Sequence, residues 1–277
     1  MRLSIFTTLT NPEKRGDNWR EALQCYKELA DEVIHIIGDD WSFKQYRDFA
    51  NHNDLDNTVQ VTRRWPKEFS WEFIGQQFQR GYEACTGDWI IHADLDFLFH
   101  EKDFMSIRQA CQDNNDQPAL SFWKYQFVLP DRYNIKSRLV IAVNKGKFGN
   151  RIRFDSGGDL TQPSLDGQYI SPNNIPEARV PIYNYEKLLK TKEQIADDQG
   201  RMERAWERHF GKHQMRSDGT NENALERWIT AQRGKLNKPQ EHIKLSQHPK
   251  YIQETIKNLE PEQWGYDAFG YMRSDYV

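Results

Sequence analysis

The amino-acid sequence predicts an α/β protein with a mixed, mainly parallel sheet flanked by helices and a helical extension at its C-terminus. Three observations predict this fold class. Short apolar strand patterns alternate with helical patterns over residues 1–115, two longer patterns rich in aromatic and β-branched residues follow, and the spacing beyond residue 191 is helical. We therefore expect one domain at residues 1–185, with halves at 1–115 and 116–185, and an extension at 186–277.

Four short apolar runs in the first half are typical of buried strands, and they cover residues 3–9, 33–37, 58–62 and 89–91. Helical spacing of apolar side chains is found at residues 19–30, 43–50, 71–85 and 102–112. Asn18 and Glu21 resemble a capping box for the first helix, and Ser70 is placed to cap the third. Alternation of this kind predicts parallel strands.

The second half has a different pattern. Residues 120–129 and 137–143 predict an antiparallel pair, residues 146–168 a long loop, and residues 180–185 a short strand. Helices are predicted at residues 191–210 and 222–232, and His248-Pro249 opens a last helix that Pro261 stops.

Composition restricts the classes of partner. Of the 277 residues, 38 are Lys or Arg and 41 Asp or Glu, giving a net charge of -3 without a dominant basic run. This argues against nucleic acid or an anionic membrane as the primary partner. The three cysteines fall in predicted helices, which favours reduced, buried thiols in a cytoplasmic protein. No apolar run suggests a signal peptide or a membrane span, and the oligomeric state stays open.

Polar side chains gather where the four predicted parallel strands end. Because ligands bind outside the carboxyl ends of such strands, these side chains should meet at one edge of the sheet. They are Thr7 and Thr8, Asp39 and Asp40, Arg63 and Arg64, and Asp94 and Asp96.

Asp94-Leu95-Asp96 places two carboxylates one residue apart at the end of a buried strand. Such a pair is unfavourable unless a cation lies between the two groups. We predict Mn²⁺ or Mg²⁺ carrying a diphosphate, with Asp96 binding the metal directly. Asp94 would share the metal through water or accept a hydrogen bond from a ribose hydroxyl. The plain alternative is a pair of solvated surface carboxylates.

The strand at residues 3–9, the Gly38-Asp39-Asp40 segment, CTGDW and HADLDFLFHEKD together resemble the GT-A nucleotide-sugar glycosyltransferases, and most closely the family-2-like inverting enzymes. The resemblance covers residues 1–103 and is patchier afterwards. The chain departs from that pattern at Phe97 and at Asn184-Tyr185-Glu186, where the family often has His-Tyr-Gly. The resemblance implies a Rossmann-like GT-A catalytic domain with a nucleotide-binding half followed by an acceptor-side half.

The same resemblance implies metal-dependent transfer of a sugar from a nucleoside diphosphate sugar to an acceptor hydroxyl, with inversion. A UDP-sugar is favoured, and the acceptor would be a glycan, a lipid-linked molecule or a protein. Thr7, Thr8 and Asp39 would contact the nucleotide, and Arg63 would hold phosphate or base. His248 would be a third metal ligand; the alternative is a residue that only begins a Pro-initiated helix. For Asp39 the alternative is an ordinary turn.

An inverting transferase needs a general base for the acceptor hydroxyl. Asp155, Asp159, Asp166 and Glu177 are the candidates. Asp159 is favoured because the preceding Gly157-Gly158 permits close backbone approach to a ligand, and Asp155 is second. The alternative for each is an ordinary loop residue, which is the commoner role of such a side chain.

Two other functions remain open from the sequence. A sugar-1-phosphate nucleotidyltransferase would have the same type of fold. The loop TLTNPEKRGDN, however, has one glycine where such enzymes usually have a Gly-rich loop. A non-catalytic module that binds a nucleotide or a sugar is the second alternative.

Overall fold

The computed structural model describes residues 1–38, 40–53, 58–62, 64–66, 68, 70–155, 162–211 and 218–266, with the backbone alone at 40–43, 52 and 58–62. These residues form a large mixed sheet, a small second sheet and helices packed on the large one. The predicted mixed α/β class, mainly parallel and flanked by helices, is confirmed.

The strands follow one another through the whole described chain. They are β1 (Leu3–Leu9), β2 (Glu32–Ile37), β3 (Thr58–Thr62), β4 (Trp89–His92), β5 (Phe97–Leu98), β6 (Ala119–Leu129), β7 (Arg132–Asn144), β8 (Ile152–Arg153), β9 (Ser164–Leu165), β10 (Gln168–Tyr169), β11 (Glu177–Asn184) and β12 (Glu241–His242). Strands β8, β9 and β10 make the small sheet, and the others belong to the large one.

The helices are α1 (Pro12–Arg15), α2 (Trp19–Leu29), α3 (Asp40–His52), α4 (Trp71–Ala84), α5 (Phe104–Asp113), α6 (Lys145–Phe148), α7 (Lys192–Phe210), α8 (Asn221–Leu236) and α9 (Lys250–Lys257). The predicted helices are present, with ends that differ from the predicted ones by a few residues. No helix in the described ranges combines the length and the apolar character needed to cross a membrane.

The large sheet has the strand order β3-β2-β1-β4-β7-β6-β11-β5, with β12 beside β7. Strands β3, β2, β1 and β4 are parallel to one another, and β11 is parallel to β6. The predicted antiparallel pair is β6 and β7. From β1 the chain builds outward to β3 and then returns to β4 on the other side of β1, which makes the edge between β1 and β4 a topological switch point.

Hydrophobic side chains cover both faces of the sheet. Alternate residues of β1 enter two different core clusters, because successive side chains of a strand point to opposite faces. Leu3 and Ile5 join the cluster under α2, and Phe6 joins the cluster under α4, with Phe78 and Tyr82. The sheet is therefore a buried central layer. Cys25, Cys85 and Cys111 are buried free thiols, as predicted, and burial raises their pKa values.

One predicted helix cap forms and another does not. Ser70 Oγ accepts a hydrogen bond from the Phe73 N–H at 3.2 Å, as predicted for the start of α4. The capping box predicted at Asn18 and Glu21 is wrong, because the Asn18 side chain makes no capping bond. Glu21 instead accepts a hydrogen bond of 2.5 Å from the Thr255 hydroxyl on α9.

The segment after residue 186 is joined to both halves of the sheet domain. Helix α9 contacts α2 through hydrogen bonds from Lys250 Nζ and the Tyr251 hydroxyl to Glu28, each 2.7 Å long. Strand β12 extends the large sheet at β7. The boundary between residues 185 and 186 stays a prediction.

Candidate active site

The DxD turn, Asp94-Leu95-Asp96, directly follows β4 at the switch point. Strands β1 and β4 pair as far as Phe6 and His92, and the Ala93 N–H still bonds to the Phe6 carbonyl at 3.1 Å. In sheets of this kind, ligands bind in a crevice beyond the carboxyl ends of the strands at such a switch point. The two carboxylates stand at that crevice.

Tyr26 fixes the backbone of the DxD turn from the side of α2. Its hydroxyl oxygen lies 2.5 Å from the carbonyl oxygen of Asp94 and 2.7 Å from that of Phe97. The side chain is completely buried, because Tyr26 is on the core-facing stripe of α2. The turn is therefore held in place by the packing of a helix.

Strand β11 fixes the turn from the other side. The Tyr185 N–H donates to the Asp96 carbonyl oxygen at 2.9 Å, and Asn184 Nδ2 donates to the Asp96 carboxylate at 2.8 Å. Strand β5, immediately after the turn, pairs antiparallel with β11 and places Phe97 opposite Asn184. The orientation of the Asp96 carboxylate is consequently set by residues of the second half of the chain.

A cavity of about 410 Å³ opens in front of the DxD turn. Thr8 and Thr10 line it at the end of β1, and Trp65 and Trp71 contribute aromatic surface. Charged side chains make up much of the remaining wall, from several separate segments. They are Arg15, Asp17, Lys124, Glu186, Lys187, Lys190, Asp198 and Arg201.

Six of these side chains form a connected group that we call the basic cluster. At its centre, Lys190 Nζ lies 2.6 Å from both Asp17 and Asp198, and Lys190 is only 3% exposed. Three more cations surround these carboxylates. Arg15 lies 2.9 Å from Asp17, whereas Lys187 and Arg201 lie 3.1 and 2.7 Å from Asp198. Four cations against two carboxylates leave a net charge of +2 on this wall.

The electrostatic state of the DxD turn differs between its two carboxyl groups. Burial and the nearby charge of Asp94, followed by Glu186 and Asp17, raise the pKa of Asp96 to about 7. Burial also acts on Asp94, but His92, followed by Lys124 and Arg15, outweighs burial and holds the pKa of that carboxyl below its ordinary value. His92 Nε2 lies 3.4 Å from Asp94 Oδ1. Without a cation, the two adjacent carboxylates therefore repel each other.

The donor set of the turn fits a hard divalent cation. Two carboxylates are available, and the neighbouring Asn184 Oδ1 is buried and accepts no hydrogen bond in the described part of the chain. Within the same ranges, no group of three or more His, Cys, Asp and Glu side chains is arranged to hold a metal ion. Mg²⁺ and Mn²⁺ sites for phosphate ligands commonly use one or two carboxylates and leave the other positions to water and phosphate oxygen.

The predicted nucleotide-contacting residues are placed as follows. Thr8 and Asp94 line the cavity, whereas Thr7 is fully buried, does not line it, and has a hydroxyl without a hydrogen-bond partner in the described chain. Because side chains alternate along β1, only one of the two threonines can face the crevice. Asp39 and Arg63 lie outside the described residues, so their roles stay predictions.

His248 is in the core and not at the cavity. Its Nδ1 lies 2.7 Å from the Tyr185 hydroxyl and its Nε2 lies 2.8 Å from the Pro130 carbonyl oxygen. Burial, partly offset by the bond to Pro130, lowers the pKa of His248 to about 4. Since both ring nitrogens are in use, the prediction of a metal ligand at His248 is not supported by its surroundings.

The predicted general bases are not at the cavity wall as far as the structure describes them. Asp155 makes a two-point ion pair with Arg153, at 2.8 and 2.7 Å, and does not line the cavity. Asp166 is paired with Arg151 on the surface. Asp159 lies outside the described residues and stays a prediction.

Sequence reasoning missed the residues of the basic cluster. They come from the loop around α1, from the turn after β11 and from α7, and these segments show no common motif. One available signal was overlooked. Strand β11 also ends at this crevice, so Glu186 and Lys187 follow a strand end in the same way as Asp94 and Asp96.

No protein-family model matches the chain, and no curated protein matches it. Among solved structures, it is similar to the mannosyltransferase PcManGT from Pyrobaculum calidifontis in complex with GDP-Man and Mn²⁺, at 11% identity and a TM-score of 0.44, covering 83% of this chain and 70% of that one. It is also similar to S. aureus TarS 1-349, at 12% identity and a TM-score of 0.43, covering 83% and 79%. A third similar structure is 4-diphosphocytidyl-2C-methyl-D-erythritol synthase from Anaerococcus prevotii DSM 20548, at 13% identity and a TM-score of 0.37, covering 52% and 70%. These likenesses are too distant to assign a function.

Proposed function

We propose that the protein is a GT-A-type glycosyltransferase that moves a sugar from a nucleoside diphosphate sugar to an acceptor hydroxyl, using Mn²⁺ or Mg²⁺. One observation carries the proposal. The DxD turn stands at a topological switch point, and the basic cluster, with a net charge of +2, lines the same cavity. A diphosphate bound in this cavity would meet both the metal and fixed cations.

The carboxylates of Asp96 and Asp94 would hold the metal, which when bound neutralises the charge that develops on the departing diphosphate. Arg15, Lys187 and Arg201 line the cavity and would bind phosphate oxygen. Lys190 is already surrounded by its two carboxylates and serves to hold the wall together.

The nucleoside would lie along the ends of β1 and β2. Thr8 and Thr10 offer hydroxyls there, and the Thr10 hydroxyl is buried without a partner in the described chain. Trp65 also lines the cavity, and its backbone N–H donates to the Gly38 carbonyl oxygen at 2.9 Å. A uracil base is favoured because Asp39, next in sequence, can accept from its N3–H. Inversion is part of the proposal and depends on a base across the cavity from the diphosphate.

A thermal-shift series tests this function. We expect UDP with Mn²⁺ to raise the melting temperature of the wild type, since a ligand at about 100 times its Kd adds about 2.7 kcal/mol of stability. GDP and CDP should raise it less. The shift should vanish in excess EDTA and in Asp96→Asn, while Glu177→Gln, on a residue outside the cavity, should keep it.

An equal shift in EDTA would exclude the metal role, and no shift with any nucleotide would exclude the nucleotide site. Turnover is then followed as UDP released from UDP-sugars. Pyrophosphate released from a nucleoside triphosphate and a sugar phosphate would instead indicate a nucleotidyltransferase, and binding without any turnover would indicate a non-catalytic module.

A further inference from the structure

Five carboxylates line the cavity in the part of the chain that the structure describes, and four already have a task. Asp94 and Asp96 form the metal pair. Asp17 and Asp198 are each 2.6 Å from the buried Lys190. Neither of the last two could accept a proton without losing a buried ion pair, which is costly. Glu186 is the fifth.

The Glu186 carboxylate is open to the cavity and only loosely bound. Its side chain is 41% exposed, and its contacts are long, at 3.4 Å to Lys187 Nζ and 3.5 Å to Gln126 Nε2. Gln126 is itself held by Lys235, whose Nζ donates to Gln126 Oε1 at 3.2 Å. This chain of contacts orients the carboxylate while leaving lone pairs for another donor.

The backbone places Glu186 beside the proposed metal site. Asn184, two residues earlier, pairs with Phe97 and holds the Asp96 carboxylate, and the Tyr185 N–H bonds to the Asp96 carbonyl. Glu186 is the first residue after these contacts whose side chain turns into the cavity. It therefore flanks the position where a sugar attached to the diphosphate would begin.

On the basis of the proposed transferase function, we infer that Glu186 is the general base that deprotonates the acceptor. The acceptor O–H bond breaks and its proton passes to a carboxylate oxygen of Glu186. The acceptor oxygen then forms the new bond to the anomeric carbon. The bond from that carbon to the β-phosphate oxygen breaks, and its electron pair leaves with the nucleoside diphosphate. One displacement of this kind inverts the anomeric centre.

Two lysines lie close to Glu186. Burial alone would raise the pKa of its carboxyl, but Lys187 and Lys124 outweigh burial and hold that pKa below the ordinary value. The side chain is therefore a carboxylate at neutral pH, but a lowered pKa makes it a weaker base, so its position at the cavity and not its pKa suits it to accept the proton. Lys187 also lines the cavity, so the proposed base and a proposed phosphate contact would be adjacent residues.

The experiment compares Glu186→Gln and Glu186→Ala with the wild type and with a control, Glu254→Gln, which changes an exposed carboxylate on α9 that does not line the cavity. The donors are UDP-glucose, UDP-N-acetylglucosamine and GDP-mannose with Mn²⁺, and the readouts are released nucleoside diphosphate and, by calorimetry, binding of UDP and GDP. We expect both Glu186 variants to lose about 10²–10⁴-fold in turnover while binding nucleotide as the wild type does. The control should keep full activity.

Azide provides a readout that a structural role would not move. It is a nucleophile that carries no proton, so it can attack the anomeric carbon without a base. Glu186→Ala with added sodium azide should regain donor consumption and form a glycosyl azide of inverted configuration.

The outcomes separate the two claims. If the wild type consumes none of the three donors, the transferase function fails. If the wild type is active and Glu186→Gln is equally active, or if Asp159→Asn rather than Glu186→Gln abolishes turnover, only the assignment of Glu186 fails. Lost nucleotide binding without rescue by azide would also overturn it, because the side chain would then be holding the donor.

Discussion

Replacing one carboxylate of the DxD turn should stabilise the metal-free protein and at the same time remove its metal binding. The variant is Asp96→Asn, which keeps an oxygen to accept the bond from Asn184 but removes a negative charge beside Asp94. In the absence of a cation that charge is unfavourable. The gain in stability and the loss of function therefore have the same cause.

The magnitude follows from the pKa of Asp96, which is 3.8 as the ordinary value and about 7 in the folded chain. The folded state binds the extra proton between these two values, so the metal-free wild type loses stability as pH rises from about 4 to 7. At about 1.4 kcal/mol per pH unit the full effect is about 4 kcal/mol. Because the carboxylate opens into a cavity, solvent screening should reduce this to about 1–3 kcal/mol at pH 8.

Urea unfolding in EDTA at pH 8 and pH 4 measures this difference. We expect Asp96→Asn to be the more stable protein at pH 8 and to lose that advantage at pH 4, where the wild-type carboxyl is protonated. Asp94→Asn is the control: it removes the same repulsion but also loses the favourable interaction of Asp94 with His92, so its gain should be smaller. A wild type as stable as Asp96→Asn at pH 8, or an equal gain from Asp94→Asn, would refute the reasoning.

Three further variants test how the site and the core are held. Tyr26→Phe removes the hydroxyl from the carbonyls of the DxD turn and should cost about 1–3 kcal/mol in urea unfolding, with weaker Mn²⁺-dependent nucleotide binding; unchanged binding would show that the turn holds itself. Lys190→Met leaves Asp17 and Asp198 buried without their shared cation and should destabilise the fold by about 3–5 kcal/mol, whereas a loss under 1 kcal/mol would contradict the burial of this pair. Burial lowers the pKa of His35 to about 3. Stability should therefore fall by up to about 1.4 kcal/mol per pH unit as pH drops below about 6.5, and His35→Leu should flatten that slope between pH 7 and 5; an unchanged slope would assign it to other groups.

Local patterns in the sequence predicted most of the fold because helix and strand periodicity is itself local. Local patterns failed where the structure depends on a contact with a residue that is distant in sequence. Glu21 is spaced for a capping box, yet it bonds to Thr255, 234 positions away. Strand β5 has only two residues, and it exists because β11 pairs with it, so no local pattern could reveal it.

The residues of the candidate site also fall into those that local patterns predicted and those that depend on distant contacts. Asp94 and Asp96 were predictable because the ends of parallel strands converge at one edge of a sheet. The basic cluster was not, since Asp198 on a heavily charged helix looks like part of a solvated face until Lys190 and Asp17 are seen around it. His248 shows the reverse error, where a residue type suited to metals is used for buried hydrogen bonds.

The anchoring of the DxD turn has a consequence for the order in which the chain folds. The bond between Asp96 and Asn184 closes 88 positions of sequence, and the bond between Asp17 and Lys190 closes 173. Contacts of such separation form late, because the loop between them must first be ordered. When the first 115 residues have been synthesised, neither Asn184 nor Lys190 has yet been made. The proposed metal site is therefore completed only when β11 joins the sheet. Tight metal binding would then indicate that the chain has finished folding.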